Sequence, residues 1–250
     1  PRVWFLTINI FFVDIGFKPS NSDLNLFIRN GVYILLYVDD MLIIGKRSEV
    51  DHIKVTIKKK WNCKDLGEAK LFIGFQIQRN RTAKSLCIHQ TLYITKLLER
   101  FRMKDCNAVQ LPIPAGTVLS QPSDLPEDKD KAGEHQLLDK LKANLYRQIV
   151  SLLLYLSNCT RLDFSYAIGQ LARHMSKPRI LHLRLAKRIL RYLKGTILMG
   201  IQYTSTTPKG ENAYTLYSDA TWGTESDRVS FQGWTATRSN GAILWTAQRQ

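Results

Sequence analysis

The stretch "GVYILLYVDDMLIIG", residues 31–45, decides how the chain is read. Two adjacent acids, Asp39 and Asp40, interrupt a run that is otherwise almost wholly apolar. A carboxylate buried in a strand is costly unless it is paired, hydrogen-bonded or bound to a metal. Successive strand residues point to opposite faces, so an unbroken strand would bury one of the two acids. A tight turn at residues 38–41 removes the conflict and lifts both acids to a hairpin tip, where they can share a cation. An exposed turn using Asp for turn chemistry alone is the plainer alternative. The flanking apolar strands and the basic character of the chain favour the cation site.

Working outward, "LNLFIRNGVYILLYV" is two β-rich runs joined by Asn30-Gly31, a pair that favours a type I′ hairpin turn. With "MLIIG" as a third strand, two hairpins in tandem are predicted. "SEVDHIKVTIKKKW" predicts a helix capped by Ser48, with Val50, Ile53 and Ile57 on one face and Lys58-Lys59-Lys60 as a solvated basic end. "KLFIGFQIQRNRTAKSLCIHQ" alternates and breaks at "NRTAKS", which predicts another hairpin. "TLYITKLLERFRM" predicts an amphipathic helix carrying Leu92, Leu97, Leu98 and Phe101. Pro112, Pro114, Pro122 and Pro126 and the run "SDLPEDKDKAGE" mark an exposed linker. Helices are predicted at "LKANLYRQIVSLLLYLSN", "DFSYAIGQLARHMS" and "ILHLRLAKRILRYLKG". Strands follow at "GIQYT", "AYTLYSDAT", "FQGWTATRS" and "GAILWTAQ".

Composition bounds the partners. The 250 residues are 44% hydrophobic and 23% charged, a globular balance. Thirty-six Lys and Arg against 21 Asp and Glu give a net charge of +15, which calls for a polyanionic partner, nucleic acid before an anionic membrane surface. The excess concentrates in one helix: Lys177, Arg179, Arg184, Lys187, Arg188, Arg191 and Lys194 occur with no acid among them. A surface helix with a basic face accounts for part of this. The lack of acids for i,i+4 pairing points also to phosphates. The apolar run before Asp39 is too short to cross a bilayer, so no membrane role is expected. Cys63, Cys87, Cys106 and Cys159 form no C-x-x-C pair and are read as buried or free thiols in a reducing compartment. The opening at Pro1 shows no signal peptide, and the last residues stop inside a patterned segment. A piece of a longer polyprotein or a truncated copy, not secreted, is expected.

Tyr37-Val38-Asp39-Asp40 resembles the Y-x-D-D box of reverse transcriptases, and its surroundings resemble the copia-type retrotransposon Pol polyprotein. The stretches that carry the resemblance are "LLYVDDMLIIG", "DLGEAKLFIGFQI", "YITKLLERFRMKDC", "LYLSNCTRLDFSYAIGQLARHMSKP", "AKRILRYLKGT" and "LYSDATWG". They run in the family's order over nearly the whole chain.

The resemblance implies an RNA-directed DNA polymerase working on an RNA template, a DNA primer and deoxynucleotides, with two Mg²⁺ (or Mn²⁺) ions. Asp39 would be the principal metal carboxylate and Asp40 a weaker one. Tyr37 and Val38 would face the primer end and incoming nucleotide, and Gly74 would lie in the element that positions the primer. Gly74 reads about equally well as a simple bulge. Lys177, Arg184, Lys187, Arg188, Arg191 and Lys194 would follow template–primer phosphates. Asp219, in "LYSDATWG", would be the first metal carboxylate of a ribonuclease H domain. The implied setting is the cytoplasm, in a virus-like particle of the retroelement, or the nucleus.

The implied fold is α+β: a partial palm of antiparallel hairpins with the start of a thumb (residues 1–106), a Pro-rich acidic linker (107–136), a helical thumb and connection (137–204) and an incomplete ribonuclease H-like α/β segment (212–250). Departures from the family pattern bear on activity. The family's third palm carboxylate lies on an earlier strand than any here. The further ribonuclease H acids lie beyond Gln250. Thr221, Leu162 and Ser151 stand where the family usually has Asp, Pro and Gly. The isolated chain is therefore expected not to polymerise. The competing reading is a non-catalytic module that holds RNA or RNA–DNA duplex by its phosphates. A metal-dependent phosphatase or nuclease would need more acids and His near one site than the sequence offers. His182 is read as a helix-packing residue.

Overall fold

A computed structural model of the chain describes residues 2–114, 116–117, 133, 135–205, 214–221 and 230–249. The fold is α+β with antiparallel sheets, and it divides into two compact units, Pro1–Phe75 and Gln76–Gln250.

The first unit is built around the opening stretch. Strands β1 (Lys18–Pro19), β2 (Leu26–Arg29), β3 (Val32–Tyr37) and β4 (Asp40–Ile44) form an antiparallel sheet in sequence order. The tandem hairpins are present as predicted. Asn30 and Gly31 have φ of 44° and 77°, the left-handed pair that a type I′ turn demands. β3 alternates: Val32, Ile34 and Leu36 are buried, while Tyr33 and Tyr37 are exposed. The buried face meets Ile8, Phe11 and Phe12 of α1 (Arg2–Asp14) and Ile53 and Ile57 of α2 (Arg47–Lys60).

Two local expectations change. Lys46, not Ser48, occupies the N-cap of α2, with no side-chain cap, and Ser48 lies within the first turn. Helix α1 arises from a segment that reads only as mixed: "RVWFLTINIFFVD" is rich in β-branched and aromatic residues of modest helix propensity. Burial of three of its side chains, not local preference, makes it helical. A short strand, β5 (Leu71–Phe72), closes this unit.

In the second unit, β6 (Phe75–Asn80) and β7 (Ser85–His89) form the predicted hairpin. β8 (Ile201–Thr204) then pairs with β7 across more than a hundred residues of chain. Helices α3 (Thr91–Arg100), α4 (Lys140–Cys159), α5 (Ser165–Ala172) and α6 (Ile180–Gly195) enclose the larger core. Ile94, Leu97 and Leu98 face it from α3, whereas Leu92 is exposed. Strands β9 (Thr215–Thr221), β10 (Phe231–Arg238) and β11 (Gly241–Arg249) make a separate antiparallel sheet in the order β11-β10-β9. Trp245 of β11 donates its indole N–H to the Ser157 carbonyl of α4 at 2.9 Å, tying that sheet to the helices. The start of the Pro-rich segment is packed, not free: Val109 and Ile113 lie against the helical core. Most of the acidic run lies outside the described residues. All four cysteines are free thiols, and burial raises the pKa of Cys87 and Cys159. Among the described residues no helix is long and apolar enough to cross a membrane.

Candidate active site and nucleic-acid surface

The register of the β3–β4 hairpin fixes the acidic pair. Tyr37 pairs with Asp40, which leaves Val38 and Asp39 as a two-residue turn. Val38 has φ of 55°, and it is the only one of the two turn residues on the positive side. That pattern matches a type II′ turn, in which Gly is the usual first residue. A β-branched residue held there costs on the order of 1–3 kcal/mol, a strain that clusters at functional sites.

Tyr37 and Val38 are more than half exposed, and Asp39 and Asp40 are exposed beside them. Among the described residues, no side-chain hydrogen bond or ion pair engages Asp39 or Asp40, and no group of three or more His, Cys, Asp or Glu forms a metal cluster. Two adjacent, solvent-facing carboxylates are hard oxygen donors, the kind that hold Mg²⁺ or Mn²⁺ together with water and substrate phosphates. The donor set fits such an ion and supplies only part of its shell.

Gly74 lies in a different turn. Ile73 and Gly74 have φ of 43° and 87°, so the feature is a two-residue left-handed turn and not a bulge, which explains the glycine there. Asp219 lies on β9 opposite Gly233 of β10. It is exposed, and its carboxylate accepts from the neighbouring Ala220 N–H at 2.8 Å.

The basic residues divide into two sets. Lys177, Arg184 and Lys187 are exposed, and Arg188 is half-buried. Arg191 donates to the Asn107 carbonyl and Lys194 to the Cys106 carbonyl, both at 2.7 Å. Those two cations fasten the start of the Pro-rich segment to α6, a tether that a charge pattern alone does not reveal.

The sequence reading also missed a buried polar cluster. Arg161 is 1% exposed and grips Asp163 through two hydrogen bonds, at 2.9 and 2.8 Å. It also donates to the backbone carbonyl and the hydroxyl of Thr196, and Tyr192 donates its hydroxyl to Asp163 at 2.7 Å. Burial pushes the Asp163 carboxyl up, but the Arg161 bonds and charge outweigh it and leave the pKa lowered. The signal was present in "CTRLD" as an Arg and an Asp two residues apart.

His182 is buried, stacked on His174 at 4.0 Å, and accepts the Arg179 N–H through Nδ1. Burial first, then the charges of His174, Arg179 and His135, push its pKa down to about 3. It is a neutral packing residue, as expected.

The pattern that defines reverse transcriptase (RNA-dependent DNA polymerase) matches residues 1–115. Residues 1–115 belong to the reverse transcriptase family, and the chain as a whole is similar to copia-type Pol polyproteins. It is similar over its full length to two retrovirus-related Pol polyproteins. Identity is 32% to that of transposon TNT 1-94 of Nicotiana tabacum and 34% to that of transposon RE1 of Arabidopsis thaliana. The chain spans only 18% and 16% of those two relatives. An uncharacterized mitochondrial protein of Arabidopsis thaliana is 31% identical over 88% of this chain and 84% of its own length. No solved structure matches the chain.

Proposed function

We propose that the chain is the part of a copia-type Pol polyprotein that carries the metal-binding turn of RNA-directed DNA synthesis. The first unit serves as a partial palm, the helices of the second as thumb and connection, and β9–β11 as the opening of a ribonuclease H-like sheet. The observation that carries this reading is the two-residue turn that presents Asp39 and Asp40 to solvent in a chain of this family.

Asp39 is the principal metal ligand and Asp40 the second. Bound in a pair, Mg²⁺ or Mn²⁺ ions supply activation of a primer hydroxyl and stabilisation of the departing pyrophosphate. Tyr37 and Val38 offer an apolar surface to the primer terminus and incoming deoxynucleotide. Gly74 shapes a second tight turn near the primer, and Asp219 begins the ribonuclease H site. The rest of the polyprotein is the natural partner.

Two carboxylates hold an ion weakly, so the chain alone binds metal without sustained polymerisation. Primer extension by the isolated chain on a homopolymer template with Mg²⁺ tests this. Robust extension that disappears in Asp39→Asn would contradict the inactivity of the isolated chain.

A second reading, a non-catalytic holder of RNA or RNA–DNA duplex, is favoured by the exposed Lys177, Arg184 and Lys187. It predicts duplex binding that weakens steeply with salt and ignores Asp39→Asn.

A further inference from the structure

We propose that Trp4 is a positioning residue for the acidic turn: its indole N–H holds the Val38 carbonyl and so maintains the left-handed backbone that presents Asp39 and Asp40. The functional meaning rests on the reading of those acids as a cation site.

The β3–β4 ladder closes the turn at Tyr37 and Asp40, but it does not by itself demand a left-handed Val38. Val38 is β-branched, its φ is 55°, and the residue is 60% exposed, so side-chain packing does not enforce the conformation. Trp4 Nε1 donates to the Val38 carbonyl at 2.7 Å, across 34 residues of sequence.

Trp4 is itself fixed, although it lies in the first turn of α1, where helices fray. Its ring meets Trp61 edge-on at 5.6 Å, and Trp61 meets Phe11 edge-on at 4.6 Å. The Lys60 ammonium lies 5.0 Å from the Phe11 ring and 5.6 Å from that of Trp61. Phe11 is buried in the core with Ile8 and Phe12. A continuous aromatic path therefore runs from the core of the first unit to one carbonyl of the strained turn. Phenylalanine can keep the path but cannot make the bond.

Amide hydrogen exchange across residues 38–41 of the full chain tests the proposal, with the rest of β3 and β4 as internal reference. Loss of one net hydrogen bond corresponds to a roughly 2- to 12-fold change in the opening equilibrium, and Trp4→Phe should speed exchange at the turn by that factor. Trp61→Phe, which disturbs the same stack but leaves the Trp4 N–H, should change it less. In a Val38→Gly background, where the left-handed backbone is no longer strained, the effect of Trp4→Phe should shrink.

Unchanged exchange in Trp4→Phe, or an equal effect from Trp61→Phe, overturns the proposal. Mn²⁺-induced broadening of the same amide signals is the second readout. In Trp4→Phe it should require several-fold more Mn²⁺. If exchange responds as stated but the wild-type signals do not broaden in an Asp39-dependent way, Trp4 still positions the turn and the cation reading is the part that fails.

Discussion

Two acidic clusters of this chain stand in opposite conditions. Asp163 is gripped by Arg161, receives the Tyr192 hydroxyl, and through Arg161 is joined to Thr196. Asp39 and Asp40 face solvent on a strained turn, with no side-chain partner among the described residues. Carboxylates whose bonds are all made within the fold contribute to stability. Carboxylates left open at a strained position are available to something from outside.

The largest effect expected from this contrast is on stability. Asp163→Ala leaves the Arg161 guanidinium buried without its partner and should destabilise the second unit by about 3–5 kcal/mol. Asp39→Ala, at an exposed and unpaired position, should stay within about 0.5 kcal/mol of the wild type in metal-free buffer. Urea unfolding of both variants checks the pair. Equal losses would erase the distinction between a structural and an available acid.

A smaller effect is expected with pH. His182 titrates near 3 in the folded chain against an ordinary value of 6.5, so the unfolded chain binds the extra proton between those values. Stability of the second unit is then full above about pH 6.5 and falls as the pH drops through that window, by about 2 kcal/mol between pH 7 and 5. The lowered Asp163 carboxyl adds a further loss below its own ordinary range. His182→Gln should flatten the first part of the curve. A midpoint that does not change with pH between 7 and 5 would contradict the buried, neutral assignment.

The smallest effect separates the two sets of cations on and beside α6. Replacing Arg184 and Lys187 together by Ala should reduce the slope of log affinity for an RNA–DNA duplex against log salt by about 2. Arg191→Ala and Lys194→Ala should show themselves mainly as loosening of residues 106–113, read by proteolysis or hydrogen exchange. If all four behave alike in the salt titration, the tethering assignment of Arg191 and Lys194 is wrong.

Much of this architecture was legible before the structure. Asn30-Gly31 announced its hairpin because the backbone there needs two left-handed residues. The alternation of β3 announced which side chains are buried. The interruption at Asp39-Asp40 located the turn to within a residue or two: Val38 and Asp39 form it, and Asp40 already opens β4. What escaped depended on tertiary packing. Helix α1 has weak local preference and forms because Ile8, Phe11 and Phe12 are buried. The Trp4–Val38 bond joins residues 34 apart. β8 pairs with β7 although α3–α6 lie between them in the sequence. The basic face of α6 was visible as charge, but nothing in the pattern separated a cation reaching for a phosphate from one already holding a backbone carbonyl.

The most direct test of the central claim is Mn²⁺-dependent broadening of amide signals on the full-length chain. If the Val38–Asp39 turn presents a cation site, the signals of residues 38–41 broaden selectively on addition of Mn²⁺, and Asp39→Asn abolishes the effect without moving the signals of β2. Signals at the turn that stay sharp, or that broaden equally in Asp39→Asn, would contradict it.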